Sequence, residues 1–291
     1  MTPHRVAALI ACHNRKPKTL ACLRALFASA DAAHGVELHT FVTDDGSTDG
    51  TSDAIRSEGW PVDVTSGDGS LFWTGGTVQA WKRALASGLE FDAFLLLNDD
   101  TVLDVGALSS LADLMVQERD AIVVGATRDP TSGGLTYGGV VRAAAWHPGK
   151  MRRLPIGAEP QEADTFNANC VLVPKQVHEV VGMLDATFVH GMSDFDYGLR
   201  ARRAGFRIVV APGTLGTCSR NVVTGTWEDA SLPLRRRLAL LDSPKGLPRR
   251  EWGAYLRRHG PWFWRLLAVM PTARVFVTWL ARAVTPRRPL R

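Results

Sequence analysis

Residues 91–101 constrain the fold more than any other stretch of the chain, because they place a short buried strand directly before a polar cluster. Residues 94–97 form an unbroken apolar run, which is typical of a strand buried on both faces of a parallel sheet. The run ends at Asn98, Asp99 and Asp100. Open α/β sheets bind ligands at the carboxyl ends of their strands, so the stretch predicts an α/β fold with a site here.

The adjacent carboxylates of Asp99 and Asp100 repel each other unless a cation lies between them. Such a pair favours Mg²⁺ or Mn²⁺, ions that commonly share their coordination shell with substrate phosphates. The alternative is that residues 98–101 only turn the chain and cap a helix predicted to begin near Asp104. For the motif alone we would prefer that alternative, but the rest of the chain reverses the preference.

Polar clusters also follow three earlier predicted strands. These strands span residues 5–11, 37–43 and 61–65, and each is followed by a predicted helix. The third helix is predicted to begin after Gly75 and Gly76. Alternation of strands and helices up to about residue 125 predicts a right-handed parallel βαβ sheet, in which the clusters converge on one cleft.

The loop over residues 66–76 is glycine-rich but carries Leu71, Phe72 and Trp73. These side chains either stack on a bound sugar or base, or pack beneath the loop, and the sequence favours neither alternative. The Gly-x-Gly at residues 67–69 does not extend to Gly-x-Gly-x-x-Gly after the first strand. Its absence there argues against a nicotinamide or flavin enzyme.

Charge divides the chain into an acidic body and a basic tail. Residues 1–234 hold 20 basic and 27 acidic residues, whereas residues 235–291 hold 14 basic residues and only two acids. An acidic body repels nucleic acid or a phosphate donor unless a metal intervenes, so we predict no nucleic-acid partner. The four cysteines have no Cys-x-x-Cys spacing, and no cleavable leader pattern is seen. Both observations favour a reduced, cytoplasmic setting.

Four stretches of the chain together resemble family 2 of the inverting glycosyltransferases, which have the GT-A fold. The matching stretches are residues 11–15, 43–51, 97–101 and 190–197, the last continuing through residues 199–205. They occur in the family's order and span residues 5 to about 220. The resemblance implies a Rossmann-like, mostly parallel central sheet flanked by helices, with a helical C-terminal appendage.

The resemblance also implies roles for individual residues. It implies a nucleoside-diphosphate sugar, dTDP- or UDP-linked, bound by Ala11, His13, Asn14, Arg15, Asp44, Asp45, Gly67, Asp68, Gly75, Asn98 and Asp99. Asp100, with Asp99, matches the position of the metal ligands, and Asp194 matches the catalytic base. Ala11 and His13 replace the more usual Thr and Tyr. Residues 215–220 lack the histidine that many relatives place in the metal shell, so a site with one or two protein ligands is expected.

The second half of the chain predicts acceptor-side strands over residues 133–141 and 165–173, and a helix that Ser193 or Asp194 opens. Asn167 and Asn169 either face a hydroxyl-rich acceptor or face solvent, and the solvent-facing alternative is favoured. Asp194 has two compatible interpretations. It is a helix N-cap, and the helix dipole keeps it ionised as a base must be at neutral pH.

We predict a catalytic domain over residues 1–230, comprising a nucleotide-sugar half (1–125) and an acceptor half (126–230). Residues 231–291 are predicted to form a basic, Trp-rich helical appendage. Its apolar runs are too short to span a membrane. Interleaved Trp, Leu and Arg favour a segment lying on an anionic membrane surface, which would make the protein peripheral on the inner face of the cell membrane. The alternative is an appendage whose tryptophans pack on the catalytic domain.

The combined prediction is a metal-dependent inverting glycosyltransferase that transfers a sugar to a hydroxyl of a glycan acceptor. The acceptor is expected to be lipid-linked and the pathway to build a cell-surface polysaccharide, with the loop at residues 67–76 suggesting a rhamnosyltransferase-like branch. Two other classes remain as alternatives: another metal-dependent nucleotide-processing enzyme, and a non-catalytic scaffold. The first would need a glycine-rich lysine loop after the first strand, and residues 12–18 contain no glycine.

Overall fold

The computed structural model describes residues 3–284. The strands, in chain order, are β1 (His4–Cys12), β2 (Val36–Asp44), β3 (Val62–Ser66), β4 (Ala93–Leu97), β5 (Val102–Leu103), β6 (Ala121–Val124), β7 (Thr127–Arg128), β8 (Leu135–Tyr137), β9 (Gly139–Arg142), β10 (Met151–Arg153), β11 (Gln161–Glu162), β12 (Thr165–Phe166), β13 (Cys170–Pro174), β14 (Arg207–Val210) and β15 (Gly216–Thr217). The helices are α1 (Lys16–Asp31), α2 (Thr51–Ser57), α3 (Phe72–Leu85), α4 (Ala107–Gln117), α5 (Lys175–Val181), α6 (Ser193–Arg203), α7 (Leu234–Leu241), α8 (Arg249–His259), α9 (Trp264–Ala268) and α10 (Met270–Val284).

An eight-stranded central sheet confirms the predicted α/β class. Its strand order is β11-β14-β6-β13-β4-β1-β2-β3. Strands β3, β2, β1 and β4 are parallel, and so are β6 and β14. Strand β13 runs antiparallel between β4 and β6, so the sheet is mixed although most of its pairs are parallel. The ends of β1, β2 and β4, which carry the predicted site, therefore lie at one edge.

Alternate residues of the central strands supply two separate hydrophobic layers, as the two-residue period of a strand requires. Val6, Ala8 and Ile10 of β1 face the layer covered by α1 and α4. Ala7 and Leu9 face the opposite layer, to which α3 contributes Trp81 and α6 contributes Tyr197. Helices cover both faces, which explains why β4 is fully buried and reads as a continuous apolar run.

Several predicted boundaries were wrong. Helix α3 begins at Phe72, before the paired glycines, and α4 begins at Ala107 instead of near Asp104. The predicted strand over residues 133–141 is divided at Gly138, which has a φ of 153°. The predicted strand over residues 165–173 is divided into β12 and β13, which lie in different sheets. A turn over residues 167–169 connects these two strands.

The C-terminal residues form helices, as predicted, and α8 packs on the rest of the fold. Trp252, Tyr255 and Leu256 of α8 are buried in a cluster with Phe188 and Leu199. The Tyr255 hydroxyl donates to the Pro148 carbonyl at 3.1 Å. In contrast, Trp262 is 91% exposed and Trp279 is also exposed. The packed arrangement therefore holds for α8, while the membrane-surface arrangement stays a prediction for the exposed part of the tail, and residues 285–291 lie outside the described chain.

None of the helices described over residues 3–284 is long and apolar enough to cross a membrane.

Candidate active site

Arg15 joins the two central carboxylates. It follows β1, and its Nη1 donates to Asp99 Oδ1 at 2.9 Å and to Asp100 Oδ2 at 3.1 Å. Lys18 Nζ lies 3.7 Å from the same Asp100 oxygen. Burial raises the pKa of Asp99 to about 6, with Arg15 lowering it and Asp100 raising it. The repulsion expected between the two acids is thus partly offset by cations from the first turn of α1.

The donor atoms around this pair fit a divalent ion that shares its shell with a diphosphate. Asp99 Oδ2 is buried and accepts no hydrogen bond within residues 3–284, so it has an uncommitted lone pair. Asp100 Oδ1 lies 3.5 Å from the thiol Sγ of Cys218, within the region 215–220 that lacks the histidine. Across the described chain, His, Cys, Asp and Glu side chains nowhere form a group of three arranged to hold a metal. The expected site with one or two protein ligands stays a prediction.

His13 and Asn14 connect the end of β1 to the end of β2. His13 Nδ1 lies 2.6 Å from the Asp45 carbonyl oxygen, so Nδ1 carries the proton and Nε2 accepts from Asn14 Nδ2 at 3.0 Å. Asn14 Oδ1 in turn accepts the backbone N–H of Thr48 at 2.8 Å, and Asn14 N donates to Ser47 Oγ. Hydrogen bonds therefore join the predicted donor-binding residues His13 and Asn14 to the segment that follows β2.

Asp44 and Asp45 are both buried and already bonded to the protein. Asp45 Oδ1 accepts Gly69 N at 2.8 Å, and its Oδ2 accepts Phe72 N at 2.9 Å. Asp44 Oδ1 accepts Ser47 N at 3.0 Å, and its Oδ2 accepts Ser52 Oγ. A carboxylate oxygen has two lone pairs, so one remains on each Asp45 oxygen for a base N–H. The Asp45 carboxylate therefore fixes the glycine-rich loop beside the predicted nucleotide site.

The glycine-rich loop packs tightly on Asp45. A Cβ on Gly67 would lie 2.5 Å from Asp45 Oδ1, which leaves no space for any other residue. Asp68 is exposed, and its Oδ1 accepts both the N–H and the hydroxyl of Ser70, a local turn. Gly75 lies inside α3 beside Leu71. The donor-binding roles of these loop residues stay predictions.

Two further predicted donor-binding residues line the edge itself. A Cβ on Gly76 would lie 2.7 Å from Ala11 Cβ, so Ala11 packs against α3. Asn98 N donates to the Asn169 carbonyl at 3.2 Å, and Asn98 Oδ1 has no hydrogen-bond partner within residues 3–284. The Asn98 side-chain oxygen is thus a buried acceptor without a partner, and its donor-binding role stays a prediction.

The aromatic residues of the loop have different surroundings. Trp73 packs against the hydrophobic layer that contains Trp81, which is the packed alternative. Phe72 has a φ of 53° and forms an edge-to-face contact with His190, with ring centroids 6.3 Å apart. Thr74 N donates to the Val189 carbonyl at 3.2 Å. The start of α3 therefore lies against the loop that leads to Asp194.

Asp194 lies in the first turn of α6 and is partly buried. Its Oδ1 accepts Phe195 N at 2.8 Å. Burial raises the pKa of Asp194 to about 6, while hydrogen bonds from Phe195, from the backbone of Ala168 and from the Asn167 side chain lower it. A carboxyl group with this pKa is mostly ionised at neutral pH yet basic enough to take a proton.

The turn over residues 167–169 contacts both halves of the site. Asn167 lies beside Asp194 and lowers the pKa of that carboxyl, while Asn169 is buried and its Nδ2 donates to Cys218 Sγ at 3.5 Å. Cys218 in turn contacts Asp100. The favoured expectation that these asparagines face solvent was wrong, because β13 inserts into the main sheet and carries the turn beside the ends of β4 and α6. The only signal in the sequence for a place in the site was the alternation of polar and apolar residues over residues 166–170.

Comparison with known proteins identifies the family. The model of the family described as "Glycosyltransferase like family 2" matches residues 3–263. No curated protein matches the chain. The solved structure of GalNAc-T7 with UDP, GalNAc and Mn²⁺ is similar, with a TM-score of 0.58, 13% identity, and coverage of 76% of this chain and 44% of that one. This chain thus spans less than half the length of that protein.

A second similar structure is the mannosyltransferase PcManGT from Pyrobaculum calidifontis in complex with GDP-Man and Mn²⁺. Its TM-score is 0.55 at 14% identity, and the match covers 99% of this chain and 77% of that one. Identities this low show the fold alone. Because the family model matches most of its length, the chain belongs to the glycosyltransferase like family 2, and it has the GT-A fold.

Proposed function

We propose that the protein is a metal-dependent inverting glycosyltransferase. It transfers a sugar from a dTDP- or UDP-linked donor to a hydroxyl of a lipid-linked glycan in cell-surface polysaccharide synthesis, with a rhamnosyl donor the first to test. The observation that carries the proposal is the turn over residues 167–169, which contacts the base Asp194 on one side and, through Cys218, Asp100 on the other. A base and a phosphate-side carboxylate that lie on either side of one short turn suit a reaction between acceptor and donor.

The proposed reaction uses one base. Asp194 takes the proton of the acceptor hydroxyl as that oxygen bonds to the anomeric carbon and the bond from this carbon to the diphosphate oxygen breaks. A divalent ion at Asp100 and Asp99 would neutralise charge on the departing diphosphate. Arg15 and Lys18 add positive charge at the same place. A single displacement inverts the anomeric configuration, and no carboxylate nucleophile is required, in contrast to retaining glycosidases.

The direct test is a screen of nucleotide sugars for donor hydrolysis and for transfer to glycan acceptors, with Mn²⁺ and Mg²⁺. NMR of the product then gives the anomeric configuration. Turnover with inversion supports the proposal. Retention of configuration would contradict the single displacement, and binding of donors without turnover of any would favour the scaffold.

The pH dependence of transfer follows from Asp194. A base works only when ionised, so we expect kcat to fall as the pH decreases through about 6 and to reach a plateau above it. Rates of the wild-type protein between pH 5 and 8.5, at saturating donor and acceptor, measure this. A constant kcat down to pH 4.5 would show that a group with an ordinary carboxyl pKa, or none, is the base.

The outer face of α9 and α10 supports membrane association. It exposes large apolar side chains beside the arginines of the same helices: Leu266, Val269, Met270, Phe276, Val277, Trp279 and Leu280. Apolar groups of this kind enter the interfacial region of a bilayer, while arginines bind anionic headgroups. A lipid-linked acceptor would explain why the enzyme is held there.

We expect wild-type protein to co-sediment with anionic vesicles at low salt and less at high salt. A variant with Trp262, Val277 and Leu280 all changed to serine should bind the vesicles at least about tenfold less. The substitutions remove three exposed apolar side chains that the bilayer would bury. The matched control changes Leu85, Val105 and Val180, exposed apolar residues of the body, to serine. Equal sedimentation of the two variants would contradict the membrane assignment.

A further inference from the structure

Helix α8, which the sequence assigns to the appendage, is hydrogen-bonded to α6, the helix that carries Asp194, and to the loop before it. Its buried residues recur at helical spacing, and they are Glu251, Trp252, Tyr255, Leu256 and His259. Glu251 Oε2 accepts Val189 N at 3.0 Å, on the amino-terminal side of His190. Leu247, which precedes α8, packs in the same cluster as Met192, the residue before α6. The segment over residues 188–196 therefore rests on α8.

Asp196 is the centre of this contact. Its side chain is fully buried and accepts three hydrogen bonds from cationic or imidazole groups. Oδ1 accepts from Arg258 Nη1 at 2.7 Å and from His259 Nε2 at 2.8 Å, both on α8. Oδ2 accepts from Arg200 Nε at 2.8 Å, one turn along α6. Arg258 Nη2 also donates to Asp185 Oδ2 at 2.6 Å. The Arg258 guanidinium therefore joins α8 both to α6 and to the loop between α5 and α6.

The charges of this cluster are matched. Burial raises the pKa of Asp196, but the hydrogen bonds from His259 and Arg200 outweigh it, and the pKa is lowered overall. Burial lowers the pKa of His259, which therefore donates as a neutral ring through Nε2. A buried ion cluster of this kind adds little net stability compared with apolar side chains of similar volume. Its specific contribution is to fix orientation.

The orientation that it fixes is that of α6. Asp194 and Asp196 are two residues apart in the first turn, so at about 100° per residue their side chains leave the helix on roughly opposite sides. Asp194 faces the turn over residues 167–169, and Asp196 faces α8. One turn after Asp194 and on the same side of α6, a Cβ on Gly198 would lie 2.4 Å from Thr165 Oγ1, so this side of α6 packs closely on β12. Rotation of α6 about its axis would move the Asp194 carboxylate.

We propose that the cluster of Asp196, Arg258 and His259, formed between α6 and the C-terminal helix α8, positions the base Asp194 for transfer. These three are positioning residues, since none contacts Asp194 or the reacting atoms in the described contacts. The inference rests on the proposed function. It implies that α8 is part of the catalytic unit, whereas the exposed face of α9 and α10 has the separate role of membrane association.

The test is steady-state kinetics of Arg258→Met and His259→Leu, each with a conservative partner, Arg258→Lys and His259→Gln. A glutamine Nε2 can donate where His259 Nε2 does, and a lysine retains one charged donor. We expect Arg258→Met to lower kcat for transfer at least tenfold while the donor KM changes less than twofold. His259→Leu should lower kcat about threefold to tenfold, and each conservative partner should recover a substantial part of the loss.

The matched control is Arg257→Met, which removes an exposed arginine from the same helix. We expect it to retain wild-type kcat. Circular dichroism and a thermal melt establish that each protein is folded at the assay temperature, so that loss of fold is not scored as loss of rate. The inference is overturned if folded Arg258→Met and His259→Leu have wild-type kcat, or if kcat and donor KM change together. A wild-type protein that transfers no sugar would instead contradict the proposed function.

Discussion

We expect Asp194→Asn to lower the rate of sugar transfer by about 10²- to 10⁴-fold while leaving donor binding unchanged, the range typical for loss of a general base. Asparagine has nearly the same shape as aspartate and retains an oxygen to accept the Phe195 N–H. It does not take a proton from an acceptor hydroxyl. Transfer rates and donor affinity by calorimetry measure the two effects separately.

The same substitution should stabilise the fold near pH 7.5. The pKa of Asp194 is raised from 3.8 to about 6 in the folded protein, so ionisation costs folding free energy. That cost is fully present above about pH 6 and absent below about pH 3.8. Removing the charge should therefore raise the free energy of unfolding by about 1 to 3 kcal/mol at pH 7.5, and by little at pH 4. Asp194→Asn should therefore lower activity and raise stability together, because the buried environment disfavours the charge that the base needs.

A matched control for Asp194→Asn is Asp113→Asn, which neutralises an exposed acid on α4. It should alter neither transfer nor the free energy of unfolding by a measurable amount. Asp194→Asn protein that transfers within tenfold of the wild-type rate would exclude Asp194 as the base. Loss of donor binding together with transfer would indicate that Asp194 has a different role, in holding the donor.

The first half of the fold was predictable because its elements are local. Strands β1 to β4 each begin and end within about one residue of their predicted bounds. The predicted start of α3 after Gly75 and Gly76 is too late, because glycine disfavours a helix interior and yet both residues lie inside α3. In the structure the missing side chain of Gly76 is what lets α3 approach Ala11 closely. A tertiary contact here outweighs local propensity.

The second half was less predictable because its pairing is non-local. Strand β13 joins residues near 172 to residues near 95 and 123, and no local pattern specifies that insertion. It nevertheless decides that Asn167 and Asn169 lie in the site. The same holds for Asp196, which appears in the sequence as one acid in an acid-rich helix start. Arg200 is a local partner on α6, and only the docking of α8 adds Arg258 and His259.

Metal removal is the second large effect that we expect. Chelation should abolish transfer, and Mn²⁺ or Mg²⁺ should restore it. Asp100→Asn should lower transfer by at least about 10²-fold, because one lost charge-stabilising contact in a protected site costs about 3 kcal/mol of transition-state stabilisation. Binding of Mn²⁺ in the presence of a nucleoside diphosphate, followed by electron paramagnetic resonance, gives a readout independent of turnover. It should weaken in Asp100→Asn and not in Asp113→Asn.

Arg15 makes the alternative outcome informative. It already bridges Asp99 and Asp100, and with Lys18 it brings positive charge to the place where the diphosphate would lie. If transfer continues in chelator, these side chains supply the neutralising charge and the predicted metal role is wrong. Arg15→Met would then abolish transfer without added metal. If metal is required, Arg15 competes with it for the same two carboxylate groups, and Arg15→Met should strengthen Mn²⁺ binding while weakening that of the nucleotide.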